Sequence, residues 1–181
     1  MWGWLPFQVR GMKPVEDLGK VKVDSRDGSL SYLGTEWVLL RVEALQGMFD
    51  ETTKAFGSGA YTIWYLAGRG AGKAMAELII GLKEEASKEQ VVERVCSELS
   101  RLGWGRFEAE KLDIDGGKYL FRVYNNPFAR GKETVKETAC IYIKGYLEGV
   151  MEALTGKKVK LKERLCVAEG APYCEFESLQ P

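Results

Sequence analysis

The sequence predicts an α+β domain in which an antiparallel sheet of hairpins packs against about four helices. Three observations carry that prediction. Turn-forming clusters at Asp24-Ser25-Arg26-Asp27-Gly28, Asp115-Gly116-Gly117 and Gly170-Ala171-Pro172 each separate two short strand-like runs. Residues 42–56, 60–82, 87–102 and 133–154 carry apolar side chains at helical spacing. Most of the helical segments come first, followed by a ββαββ order, which favours an antiparallel sheet over a parallel doubly wound one. With 181 residues the chain is long enough to bury a core of its own.

Residues 1–19 hold Trp2, Trp4, Leu5, Phe7 and Val9 and then Pro14 and Gly19. They read as an N-terminal aromatic arm that packs on the domain or on a partner subunit, with the domain proper spanning 20–181. Runs 20–23 and 30–33 form the first hairpin. The helix at 42–56 ends at Gly57. The segment at 60–82, AYTIWYLAGRGAGKAMAELIIGL, is apolar nearly all round in its first half, so it is buried on more than one side.

Glycines 68, 70 and 72 each cost a helix about 1 kcal/mol against alanine. They are tolerated where a backbone or a ligand comes close, and helix packing is the better explanation. A phosphate loop requires a glycine at 67 and a hydroxyl at 74, where this chain has Ala67 and Ala74. A dinucleotide fingerprint requires a glycine at 73, which is Lys73.

Ser87 followed by Gln90 forms a capping box for the third helix, whose buried stripe is Val91, Val95, Leu99 and Leu102 and which Gly103 ends. Cys96 lies beside that stripe and reads as a small semi-buried hydrophobe. Runs 104–114 and 118–124 alternate around the Asp115 turn, and Asn125-Asn126-Pro127 breaks the pattern. The fourth helix, expected over 133–154, buries Ala139, Ile143, Tyr146, Val150 and Leu154 and closes at Gly156. Runs 157–166 and 173–179 make the last hairpin.

Composition excludes several functions. Basic and acidic residues number 26 each, with no long run of either sign, so there is no footprint for nucleic acid. No apolar run reaches the ~18–20 residues of a membrane span. The start lacks the charged and apolar regions of a secretory signal, which makes a cytoplasmic protein with reduced thiols the expectation. There is no histidine. That removes the usual general base, histidine-paired nucleophiles and the commonest metal and haem ligand.

The chemistry of the chain concentrates in LKERLCVAEGAPYCEFES. A hairpin centred near Gly170 sets Cys166 opposite Cys174, at the ~4.5–5.5 Å Cα separation of facing residues. That spacing suits a disulfide or two sulfur ligands on one metal. With Glu163 and Cys140 the set becomes three thiols and one carboxylate, the four ligands of a tetrahedral zinc site. Lys160, Lys162 and Arg164 lie close enough in sequence to offset its charge. Glu163 and Cys166 face opposite ways in a straight strand, so zinc binding by both requires a bulge. From spacing alone zinc, a Cys166–Cys174 disulfide and an unliganded reduced cluster all remain open.

A helix-associated cysteine, then Glu-x-x-Cys, then Cys-x-Phe after a glycine turn resembles the 4-vinyl reductase-type or hydrocarbon-binding domain family, over about residues 19–179. The part carried by Glu163, Cys166, Cys174 and Phe176 is the more specific. The resemblance implies a fold shared with vesicle-tethering subunits and nitric-oxide sensor domains, a pocket for a small hydrophobic or aromatic ligand, and a homodimer. Aromatic-sensing members hold zinc beside that pocket, which implies Cys140, Glu163, Cys166 and Cys174 as ligands here.

The absence of histidine excludes a histidine-ligated haem, and no ATPase or DNA-binding region follows. The expected function is therefore a non-catalytic, zinc-containing module that binds or senses an apolar molecule, with Trp64, Tyr65, Gly68, Tyr119, Phe121, Ile143 and Tyr146 lining the pocket. Rival readings are an enzyme or accessory subunit of tetrapyrrole vinyl reduction, which lacks a nicotinamide or flavin motif here, and a pure protein-interaction module.

Overall fold

The structure, a computed structural model, describes residues 20–82, 85–131 and 139–179. The expected aromatic arm, and residues 133–138 of the expected fourth helix, lie outside the described residues. The chain divides into two compact units, Met1–Leu39 and Leu40–Pro181.

In the first unit, β1 (Lys22–Asp24), β2 (Ser29–Tyr32) and β3 (Thr35–Glu36) form an antiparallel meander. The hairpin with the Asp-Gly turn lies where the sequence places it, with Gly28 at φ 78°. The third strand is not legible in the sequence. Its turn is Leu33-Gly34, with both residues at positive φ (52° and 76°), and leucine there reads as the end of a strand.

The second unit holds α1 (Val42–Phe56), α2 (Gly59–Leu82), α3 (Lys88–Arg101) and α4 (Ile141–Thr155), with β4 (Arg106–Asp113), β5 (Lys118–Tyr124), β6 (Leu161–Leu165) and β7 (Cys174–Ser178). The four strands form an antiparallel sheet in the order β4-β5-β7-β6. The architecture is thus α+β, as the sequence implies. Tyr119, Phe121 and Val123 of β5 alternate inward and pair with the buried face of β7, where Phe121 sits opposite Phe176. The capping box of α3 is present in full, the Ser87 hydroxyl accepting from Gln90 N and the Gln90 carboxamide from Ser87 N.

One boundary differs from the sequence reading. Helix α4 begins at Ile141, and Ala139 and Cys140, which the helical spacing includes, form a turn. Cys140 is the N-cap, at φ −99° and ψ 10°, and its carbonyl accepts from Lys144 N at 2.9 Å.

Helices α2 and α4 pack with their backbones in contact. A Cβ placed on Gly68 or Gly72 overlaps the carbonyl oxygen of Tyr142 or Tyr146, and one on Gly145 or Gly149 overlaps that of Tyr65 or Arg69. Residue numbers rise together along both helices, so they run parallel. Gly70 faces open space. Among the described residues no helix is long and apolar enough to cross a membrane.

Candidate functional site

The hairpin β6–β7 sets the geometry of the cysteine cluster. Glu163 pairs with Phe176 but Leu165 with Glu175, so Arg164 is an extra residue, a β-bulge. The bulge breaks the strict alternation of the strand, and Glu163 and Cys166 reach the same cluster. A 3₁₀ turn at Val167–Glu169 and Gly170 at φ 85° then reverse the chain, bringing Cys174 back beneath Cys166. Val167 N donates to Cys174 Sγ at 3.4 Å. Cys140 enters from the start of α4.

One ligand atom from each of Cys140, Glu163, Cys166 and Cys174 lies within 4.8 Å of every other. Cys140 Sγ is 3.5 Å from Cys166 Sγ and 3.4 Å from Cys174 Sγ. A disulfide holds its sulfurs at ~2.05 Å, whereas two thiolates at ~2.3 Å from one tetrahedral ion stand about 3.8 Å apart. The observed spacing is near the second value, and all four cysteines are free thiols.

Asn126, fully buried, directs its amide toward Cys140 Sγ (3.2 Å) and Cys174 Sγ (3.6 Å), while its carbonyl accepts from Phe128 N at 3.0 Å. In the sequence Asn126 reads only as part of a turn. Hydrogen bonds from its neighbours' thiols lower Cys174 to about 4. The same contacts, with burial, push Cys140 upward. Burial raises the Glu163 carboxyl to about 8, and its Oε1 is enclosed without a hydrogen-bond partner. Three crowded sulfurs and an orphaned carboxylate oxygen form a donor set that one thiophilic divalent cation satisfies. The residues fit a metal.

Of the charges expected to offset the cluster, Lys160 binds the Tyr65 hydroxyl and Glu148 instead, and Arg164 pairs with Glu177 at 2.8 Å. Lys162 and Lys144 line an open groove of about 640 Å³ that reaches Glu163 and Cys166. Cys96 lies outside the cluster, buried in α3, and burial pushes its thiol up to about 12. That makes it unreactive.

The residues expected to line a pocket separate into different settings. Trp64 is buried in an aromatic cluster with Phe49, Phe128 and Tyr142, and its indole donates to Thr52 Oγ1 at 2.7 Å. Trp104 stacks on Tyr142 and Tyr142 on Phe128, with centroids 5.6 and 5.0 Å apart. Tyr146 borders the same cluster. Phe128 also links it to the cysteines through Asn126. Gly68 faces the backbone of α4, which accounts for it as packing. Phe121 and Ile143 are core, with exposures of 1% each. Tyr119 lines a separate cleft near the β4–β5 turn.

Tyr65 belongs to a polar network for which the sequence carries no local signal. Its hydroxyl donates to the fully buried Glu148 at 2.5 Å, and Glu148 also accepts from Leu161 N at 2.9 Å. One turn on, Arg69 pairs with Glu152. Glutamates 148 and 152 at i,i+4 on α4 meet Tyr65 and Arg69 at i,i+4 on α2, because the glycines bring the parallel helices together.

Comparison with known proteins agrees with this architecture. Residues 120–179, which contain the whole Cys/Glu cluster, match the model of the 4-vinyl reductase domain, the family that Glu163, Cys166, Cys174 and Phe176 resemble. The fold is similar to the phenol-responsive sensory domain of the transcription activator PoxR, solved with phenol, at 22% identity over 88% of this chain and 84% of that one, TM-score 0.76. It is also similar to a trafficking protein particle complex subunit 3 from Naegleria fowleri covalently bound to palmitic acid (14% identity, 77% and 95% covered, TM-score 0.56). A third likeness is to an H-NOX protein from S. oneidensis in the Fe(II)NO ligation state (11% identity, 83% and 81% covered, TM-score 0.56). At these identities the likeness is one of fold. No curated protein sequence matches the chain.

Proposed function

We propose that this chain is a zinc-containing module that binds or senses a small aromatic or apolar molecule and is not itself a catalyst. The observation that carries the reading is the convergence of Cys140, Glu163, Cys166 and Cys174 within 4.8 Å, joined through Asn126 and Phe128 to a cluster of aromatic rings. Zinc is the ion that best suits three thiolates and a carboxylate in a site without histidine, and four protein ligands would make it structural. Its role would be to fasten β6, β7 and the start of α4 together. That holds Asn126, and with it the Phe128 side of the aromatic cluster, in place.

The ligand would enter among Trp64, Trp104, Phe128, Tyr142 and Tyr146, whose ring faces and edges suit a flat apolar guest. Phenol, named with the PoxR domain, is the natural first probe. Dimerisation is supported by the exposed Met48, Phe56, Ile63 and Leu66 on α1 and α2.

The test is a titration of phenol, indole and toluene into the zinc-loaded protein, followed by tryptophan fluorescence and calorimetry. At least one probe is expected to saturate the protein and to lose its fluorescence response in Trp64→Phe or Trp104→Phe. Absence of saturation by every probe up to its solubility would overturn the binding claim while leaving the metal claim standing.

Asn126 supplies a further expectation. Asn126→Ala removes donors to two sulfurs, and zinc affinity is expected to fall about 10–100-fold. Competition with a chromogenic chelator measures this; an unchanged affinity would remove Asn126 from the account.

A further inference from the structure

The cleft between the β4–β5 turn and the segment leading into β6 is separate from both the cysteine cluster and the aromatic cluster. Its volume is about 600 Å³ and it opens to solvent. Four lysines line it, Lys88, Lys157, Lys158 and Lys160, against one carboxylate, Asp115. Lys160 is engaged by Tyr65 and Glu148. Among the described residues Lys88, Lys157 and Lys158 have no ion pair.

In a chain with equal numbers of basic and acidic residues, this is a local excess of positive charge around a concave surface. Such an arrangement concentrates anions. The C-terminal end of α4 accounts for a lysine just beyond it, since helix carbonyls attract cations. It does not account for Lys88, which opens α3 on the other side of the cleft. The floor is different in kind: Ile114, Tyr119 and Val159 are each at most 8% exposed and turn apolar surface to the cavity. Ammonium groups at the rim over an aromatic and aliphatic floor match a molecule with phosphate at one end and a flat or apolar body at the other.

We propose that this cleft is a second binding site, for a phosphorylated small molecule with an aromatic or apolar body, of which nucleoside phosphates are the simplest class. Lys157, Lys158 and Lys88 hold the phosphates, and Tyr119 with Ile114 takes the body. The site rests on neither the metal nor the aromatic cluster.

The test uses ATP and inorganic tripolyphosphate as probes, titrated by calorimetry into the full chain at low and at physiological salt. The control is the double variant Lys157→Glu/Lys158→Glu, whose side chains are exposed and whose melting temperature is expected to match the parent. ATP is expected to saturate the parent more tightly than tripolyphosphate, to weaken with salt, and to lose about tenfold or more in affinity in the double variant. No saturation by either probe, or equal affinity in parent and variant, would overturn the site. Equal binding of ATP and tripolyphosphate would overturn the role of the apolar floor. Tighter, variant-sensitive binding of a short RNA or of anionic vesicles would overturn the small-molecule class.

Discussion

Cys174→Ser is expected to release the metal and to lower the thermal midpoint by roughly 6–20 °C. Cys174 is completely buried, opens β7, touches Cys140 Sγ and receives Val167 N and Asn126 Nδ2. Serine supplies a harder, shorter donor that cannot replace a thiolate on zinc. In small folds that depend on zinc, the ion contributes on the order of 10 kcal/mol. This domain has a core beyond the site, so a loss of about 3–5 kcal/mol is the reasonable fraction, which for its size is the shift given above. Scanning calorimetry with zinc analysis on the same sample reads both effects. Cys96→Ala is the internal control, because Cys96 is buried in α3 apart from the cluster and its loss is expected to leave the metal bound.

Two alanine substitutions two residues apart on one helix are expected to act in opposite directions. At Gly72 the new methyl meets the Tyr146 carbonyl, which is backbone and has no rotamer to yield. Helices α2 and α4 must then separate, loosening the pairs Tyr65–Glu148 and Arg69–Glu152 as well. A destabilisation of about 3 kcal/mol or more is expected. At Gly70 the methyl meets nothing within 4 Å, and the gain in helix propensity should stabilise by about 0.5–1 kcal/mol. Urea denaturation of both variants checks the pair. Equal effects at the two sites would mean that the close approach of α2 and α4 is wrong.

Much of this is legible in the sequence because local signals agree with the global fold. Gly57 and the Ser87–Gln90 box fix helix ends through backbone chemistry that needs no distant partner. The hairpin around Gly170 fixes the approach of Cys166 to Cys174, and the requirement for a bulge near Glu163 follows from strand alternation alone. The features that escape are those made by contacts far apart in sequence. Helical spacing continues smoothly through 133–154, and nothing local marks Cys140 as an N-cap. Glu148 and Glu152 read as solvent-facing until a parallel helix brings Tyr65 and Arg69 against them. Trp104, Phe128 and Tyr142 come from a strand approach, a loop and a helix, so no periodicity joins them into one aromatic cluster.

The most direct test of the central claim is the zinc and thiol content of the native protein purified without added metal or reductant. One zinc per chain, with four free thiols appearing after denaturation with a chelator, is the expected result. Metal-free protein with only two free thiols would mean that two of the clustered cysteines are joined as a disulfide, and metal-free protein with four would mean an unliganded cluster; either contradicts the zinc site.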